Sequence, residues 1–502
     1  MADASSPAAT QTIDILIIGA GVSGIGMACH LRKECPGKSL LVLERRAAIG
    51  GTWDLFRYPG IRSDSDMMTF GYRFAPWIKP QILADGGSIK GYVTKTAAAN
   101  GITERIRFGR KAISASWSSE TALWTVEVGV EGSSEKEVYQ ARFLVGCTGY
   151  YNYDEGFKPH FEGEKSFKGQ IIHPQQWPEK LDYTGKKVIV IGSGATAVTL
   201  VPAMVNKAAH VTMVQRSPSY FLPIPSMDRV SQLMQKMMPD KWVYRITRAR
   251  NVAFQQFVYQ AAKRRPKAMK RFLLSTAKKQ LQGKVDMRHF TPNYEPWDQR
   301  LCVIPDGDLF RVLREGKASV ATDRIERFTP QGLKLASGEE IEADIIITAT
   351  GLDLQMFGGM TLTVDSKPVK PGDGMMYKAV MLQGLPNTAM VFGYINASWT
   401  LKADLSAEFV CRLVNHMDAE NYQQVTPVAE ADEITEHTMM GSLASGYVKR
   451  AAHLLPRQGK SGHWQVAHNY KTDTALLRDA PVADEGLEFR RVAKAASAGK
   501  AR

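Results

Sequence analysis

Two glycine-rich runs, Gly19-Ala20-Gly21-Val22-Ser23-Gly24 and Gly192-Ser193-Gly194-Ala195-Thr196-Ala197, have the spacing that lets backbone N–H groups close around a pyrophosphate. In such a run the first glycine permits a tight turn and the second lets phosphate approach the backbone. The third lets the next helix pack on the preceding strand. The second run carries Ala197 in that third place. Glu44 follows the first run at the distance of a ribose contact and can accept from ribose hydroxyls. The matching place after the second run reads Gln215-Arg216-Ser217. A carboxylate there would repel a 2′-phosphate, whereas Arg216 attracts one and Ser217 donates to it. The first run therefore suits FAD and the second NADPH.

Such turns work only where a strand feeds them and a helix leaves them, because the helix N-terminus offers its free N–H groups to phosphate. The apolar runs 13–18 and 187–191 predict the feeding strands, and 40–43 and 210–214 predict the next strand of each βαβ unit. The fold class expected is α/β, with two Rossmann-like dinucleotide-binding domains and a helical insert in the NADPH domain. Two more apolar runs end in Cys147-Thr148-Gly149 and Ala349-Thr350-Gly351, the form of crossings between nucleotide domains. The expected limits are 1–150 and 352–502 for a FAD domain in two pieces, 151–220 and 292–351 for the NADPH domain, and 221–291 for the insert. Two nucleotide sites narrow the class to flavin-and-NADPH oxidoreductases. Cys29, Cys35, Cys147, Cys302 and Cys411 include no C-x-x-C pair. That argues against a disulfide reductase, a zinc site and a secreted disulfide framework, and no metal is expected.

Three further segments carry a family resemblance. Gly50-Gly51-Thr52-Trp53-Asp54 leads through Tyr58-Pro59-Gly60 to Arg62-Ser63-Asp64; FKGQIIHPQQWP spans 167–178; and PWDQRLC, at 296–302, contains Arg300. The second of these resembles the F-x-G-x-x-x-H-x-x-x-W-P signature of type I Baeyer–Villiger monooxygenases. The runs at 50–67, 296–302 and 396–405 (NASWTLKADL) are similar to one subgroup, the bacterial long-chain alkane-utilisation and mycobacterial thioamide-prodrug-activating monooxygenases. The resemblance implies an enzyme using FAD, NADPH and O2 to convert apolar ketones, long-chain aliphatic or aromatic, to esters by way of a C4a-peroxyflavin. S-oxidation of sulfides and thioamides is the implied side activity. It also implies that Gly51, Thr52, Trp53, Asp54, Tyr58, Arg62, Ser63 and Asp64 surround the flavin. Arg300 and Asp64 are the implied catalytic pair, with Arg300 stabilising the peroxide anion. His173 and Trp177 would couple movement of the NADPH domain to the flavin. Many relatives place Lys before that arginine; here Gln299 stands there, which loads 2′-phosphate binding onto Arg216. The rival readings are an N- or S-hydroxylating flavin monooxygenase, a long-chain alkane hydroxylation component, and a non-catalytic flavin-binding partner.

The 502 residues, 44% hydrophobic and 23% charged, are ordinary for a globular chain of two or three domains. The opening MADASSPAAT lacks the basic and apolar regions of a leader, and glycines interrupt the apolar stretch 13–31. A cytoplasmic protein is expected. The net charge of +14 is concentrated: residues 228–284 hold 15 Lys/Arg and two Asp. Val243, Ile246, Ala249, Ala253 and Phe257 recur at helical spacing, as do Met269, Phe272, Leu273, Ala277 and Leu281, with Lys-Arg-Arg-Pro at 263–266 between the sets. Solvated helix faces and peripheral docking on the anionic inner membrane surface are both open. Nucleic acid is not expected as a partner, since no reader motif accompanies the charge. The partners expected are an apolar small-molecule substrate and O2.

Overall fold

The computed structural model describes residues 12–492 apart from 300, 431, 442, 444 and 461. The chain opens with strand β1 (Thr12–Ile18), helix α1 (Val22–Glu34) and strand β2 (Leu40–Leu43), and β1 pairs parallel with β2. On its other side β1 pairs parallel with β3 (Lys136–Gly146), the last strand of an antiparallel meander through 110–118 and 123–130. Successive residues of β1 enter different cores. Ile15 and Ile17 face one cluster, while Ile13, Leu16 and Ile18 face another. A strand buried on both faces reads as a continuous apolar run, which is why this one was visible in the sequence. Each fully buried side chain of this size contributes about 1.5–3 kcal/mol.

A second sheet begins with β4 (Lys187–Ile191), followed by helix α2 (Ala195–Met204) and strand β5 (His210–Gln215). Its five strands are parallel, in the order 318–322, β5, β4, β6 (Ile345–Thr348), 170–172. Between β5 and β6 the chain forms helices α3 (Arg229–Gln235), α4 (Asp240–Arg264) and α5 (Pro266–Leu281). Pro266 begins α5 at a position where its missing N–H costs nothing. Residues 221–224, at the head of the stretch expected to be helical, instead form a strand paired with 302–305. After β6 the chain returns to the first sheet: 361–364 pairs with 110–118, and 388–390 pairs with β3. Helix α6 (Trp399–Ala419) then packs on α1. The architecture is thus two parallel-cored α/β units, the first assembled from both ends of the chain. Among the described residues no helix is long and apolar enough to cross a membrane. The five cysteines are free and buried.

Candidate functional site

The first glycine run joins β1 to α1 under tight steric limits. Gly19 has φ +105°, and a Cβ there would lie 2.5 Å from the Cys147 carbonyl oxygen. A Cβ on Gly24 would lie 1.8 Å from the Gly19 oxygen. Gly51, at φ +56°, brings a second backbone loop against the turn, its Cβ position 3.0 Å from Gly21 Cα. Glu44 leaves the end of β2 and is almost fully buried. Its carboxylate accepts from the Ala20 N–H at 2.7 Å and the Arg46 N–H at 2.8 Å. Burial pushes its pKa up against the pull of these donors. Lone pairs remain for further donors, since a carboxylate offers about four acceptor sites. Gly19, Gly21, Glu44 and Gly51 share one recess of about 60 Å³.

A larger cavity of about 270 Å³ lies between the two units. From the first unit Gly21, Ser23, Thr52, Trp53, Tyr58, Arg62, Ser63 and Asp64 line it, and from the second Ala195, Thr196 and Thr199 at the start of α2. The Tyr58-Pro59-Gly60 turn holds the units together. The Tyr58 hydroxyl bonds to Thr196, and burial pushes that phenol up to about 12. A Cβ on Gly60 (φ +78°) would lie 2.6 Å from Ala203 Cβ, so only glycine fits this approach to α2. Arg62 reaches across to Asp308 at 2.7 Å. Asp64 is an exposed wall residue of the cavity. A groove of about 330 Å³ near Asp14, Lys38 and Arg142 is bigger, but it sits at the N-terminal ends of the first-sheet strands. Ligands of such sheets bind beyond the C-terminal ends.

Seven aromatic residues of the cavity escaped the sequence reading as site residues: Phe56, Phe70, Tyr150, Tyr151, Tyr153, Tyr394 and Trp399. Trp399 donates from Nε1 to Ser23 Oγ at 2.8 Å and stacks on Tyr150 at 5.4 Å. Tyr151 stacks on Tyr153 at 5.0 Å and donates to Thr52 Oγ1 at 2.6 Å. Trp399 lies inside the NASWTLKADL run, Tyr394 stands just before it, and Tyr150, Tyr151 and Tyr153 follow on Thr148-Gly149; those neighbours were the available signal.

The second glycine run lies at the C-terminal end of β4. Gly192, at φ +137°, would place a Cβ 2.4 Å from the Ala349 oxygen. Gly194 is the extended residue before α2, and a Cβ there would meet nothing within 4 Å. Ala197 is fully buried in the helix packing. Ser193 Oγ donates to the Ser217 carbonyl at 3.1 Å, tying the turn to the end of β5. Arg216 stands exposed beside it. This group lies next to the central cavity and does not line it, apart from Ala195 and Thr196.

Asp54 is placed elsewhere. It is 3% exposed and faces away from the cavity, between Arg46 at 2.7 Å and Lys90 at 2.6 Å. Burial opposes its ionisation, but these two cations hold its pKa below the ordinary value. Gly24 is likewise interior, with its role in the packing of α1. Arg300 lies outside the described residues. His173 and Trp177 do not touch the cavity. Gln175 and Gln176 donate to the Asn152 and Asp154 carbonyls, each at 2.8 Å, and a Cβ on Gly156 would collide with the His173 ring. The segment is therefore fastened to the chain just after the first crossing, which itself runs beside the second through Asn152 N–H to Asp353 O at 2.7 Å.

Two parallel-cored units sharing a cavity at their glycine turns define a two-nucleotide oxidoreductase. The chain matches the flavin-binding monooxygenase-like family over residues 12–418, and it belongs to that family. It is 52% identical to the probable FAD-binding monooxygenase AlmA of an Acinetobacter species, over 96% of this chain and 97% of that one. The putative FAD-containing monooxygenase MymA of Mycobacterium tuberculosis is 51% identical, over 96% and 99% of the two chains. The FAD-containing monooxygenase EthA of the same organism is 50% identical, over 96% and 98%. Among solved structures, an oxidized steroid monooxygenase bound to NADP matches at TM-score 0.78 and 20% identity, over 96% of this chain and 100% of that one. A cyclohexanone monooxygenase bound to ε-caprolactone matches at TM-score 0.75 and 19% identity, with the same coverage. These last two establish the fold, that of the flavin Baeyer–Villiger monooxygenases. The protein is an enzyme of the flavin monooxygenase class, and the motif resemblance stands.

Proposed function

We propose that the enzyme uses FAD, NADPH and O2 to convert apolar ketones, long-chain or aromatic, to esters or lactones, and that it oxidises sulfides and thioamides at sulfur as a side activity. The observation that carries this reading is the central cavity. It is walled jointly by the first glycine turn and the start of α2, with Trp53, Tyr58, Tyr150 and Trp399 around it. The residues fit two dinucleotides. The absence of a side chain at Gly21, close under Gly51, and the open backbone at Gly194 suit pyrophosphates, and Glu44 keeps acceptor capacity for a ribose. Exposed Arg216 beside Ser217 suits a 2′-phosphate. Gly19, Gly21, Ser23, Gly24, Glu44, Gly51, Thr52, Trp53, Tyr58, Arg62, Ser63 and Asp64 would hold or frame FAD, with Asp54 bracing the loop from behind. Gly192 to Ala197, Arg216 and Ser217 would hold NADPH. The domain limits read from the sequence belong to the same proposal.

The bound flavin, once reduced, supplies an activated oxygen atom from O2. The chain supplies the setting. The aromatic wall excludes water, so that charge placed in the cavity is not screened. By the motif resemblance Arg300 would provide a cation that stays protonated in such surroundings, and Asp64 would orient it. The hinge position of His173 and Trp177 lets the NADPH unit shift against the flavin unit without any group of that segment entering the reaction. Product analysis by mass spectrometry on a panel of ketones and sulfides with NADPH tests this: esters form if the reading holds, and sulfoxides alone would favour a heteroatom-oxidising enzyme. Ketones of this kind concentrate in lipid, which makes the basic segment 228–284 the surface at which an anionic membrane would be met.

A further inference from the structure

Helix α4 carries apolar side chains on two sides. Its inward face combines buried Val243, Tyr244 and Ala262 with Thr247, Arg248, Asn251 and Gln255. Arg248 donates to the Met68 and Gly71 carbonyls at 2.8 and 2.9 Å, and Asn251 donates to Asp66 at 2.8 Å. Ser231 of α3 is fully buried against Thr247, 2.9 Å away, so α3 and α4 move as one body. A second apolar set faces the other way. Trp242, Ile246, Phe254 and Phe257 are 46–68% exposed, and Leu233 and Met237 at the end of α3 are 60% and 76% exposed. A soluble surface helix normally keeps its outward face polar. Such a patch on a folded chain marks a contact surface. The segment around it carries 15 Lys/Arg against two Asp. Among the described residues few of these cations are neutralised: Arg250 pairs with Asp228, Lys263 with Asp298 at 3.3 Å, and Arg248 with Asp404 at 4.0 Å.

We propose that α3 and α4 form a membrane-docking face that seats Trp242, Phe254, Phe257 and Met237 among the acyl chains of an anionic bilayer. Exposed aromatic and aliphatic side chains ringed by Lys and Arg match the chemistry of an anionic lipid surface, apolar below and negative at the headgroups. A second copy of the chain does not match, since residues 228–264, with eight Lys/Arg and two Asp, would oppose their own positive charge. The docking rests on the ketone reading only for its purpose, which is the collection of lipid-dissolved substrate. The inward face of α4 grips residues 66–72; Phe70 of that stretch and the adjoining Ser65 line the central cavity, so the docked helix forms the outer support of the cavity wall.

The test is vesicle flotation of the full-length, flavin-loaded enzyme. Phosphatidylglycerol-rich vesicles should carry roughly ten-fold more protein than phosphatidylcholine vesicles. The combined variant Trp242→Ser, Phe254→Ser, Phe257→Ser should lose most of that binding while keeping its melting temperature and its turnover of a short, water-soluble ketone. Equal, negligible flotation on both lipids would overturn the proposal. So would undiminished binding of the triple variant, which would reduce the contact to charge alone. A lipid-free dimer abolished by the same substitutions would show that another copy covers the face, and would overturn it too. Flotation needs no turnover, so failure of the ketone reading would leave this result standing.

Discussion

Arg216 and Glu44 stand at equivalent ends of two parallel strands, and their opposite charges assign the two nucleotides. Arg216→Ala should raise KM for NADPH about ten-fold or more, the scale of one charge-assisted phosphate contact, and leave KM for NADH unchanged. Steady-state kinetics with both coenzymes checks it, and an unchanged preference would remove Arg216 from the site. Arg300→Ala should abolish ester formation while flavin reduction by NADPH, followed by stopped-flow absorbance, persists. Both arginines were singled out in the sequence by the motifs around them; Arg216 stands exposed at the end of β5, and Arg300 lies outside the described residues. Asp54 shows the limit of that logic. It stands within a cofactor motif, yet its carboxylate turns to Arg46 and Lys90, since a buried acid so close to two cations is most stable paired. Trp399 and Tyr394 were not assigned to the cavity, because residues so remote in sequence meet the turn only through the packing of α6.

At the level of elements, the two glycine runs differ in what a methyl group would meet. Gly24→Ala drives a Cβ to 1.8 Å from a backbone oxygen, so β1, the turn and α1 cannot close together. That variant should lose bound flavin and melt several degrees lower, or fail to fold. Gly194→Ala meets no protein atom within 4 Å and should keep its melting temperature. It should nevertheless raise KM for NADPH, because the added methyl occupies the approach of the pyrophosphate; scanning fluorimetry beside kinetics separates the two effects. Both strand–turn–helix units were readable from apolar runs and glycine spacing. The periodicity of α4 was readable as well, but not the direction of its stripe. Spacing shows which residues share a face, and only the packing of Arg248 and Asn251 against 66–72 shows which face is inward.

For the whole molecule, buried histidines set the response to mild acid. Burial holds the pKa of His468 down to about 4, and lowers those of His173 and His289. These groups stay neutral in the folded chain, whereas in the unfolded chain they take up protons below about pH 6.5. The unfolded state then binds more protons, so stability is full above that pH and falls as pH drops towards 4. The melting temperature should therefore decline between pH 7 and pH 5, a window above the titration of ordinary carboxylates. His468→Gln should flatten the decline, since its amide does not titrate and its nitrogen, at the reach of the imidazole Nε2, keeps a donor for the Met439 carbonyl. Assembly of the catalytic cavity from both units also belongs to this scale, and it bears directly on the reaction. Purified enzyme, NADPH, a long-chain ketone and isotopically labelled dioxygen should yield an ester carrying one labelled oxygen atom, read by mass spectrometry. Unreacted ketone from an enzyme that turns sulfides into labelled sulfoxides would contradict carbonyl oxygenation.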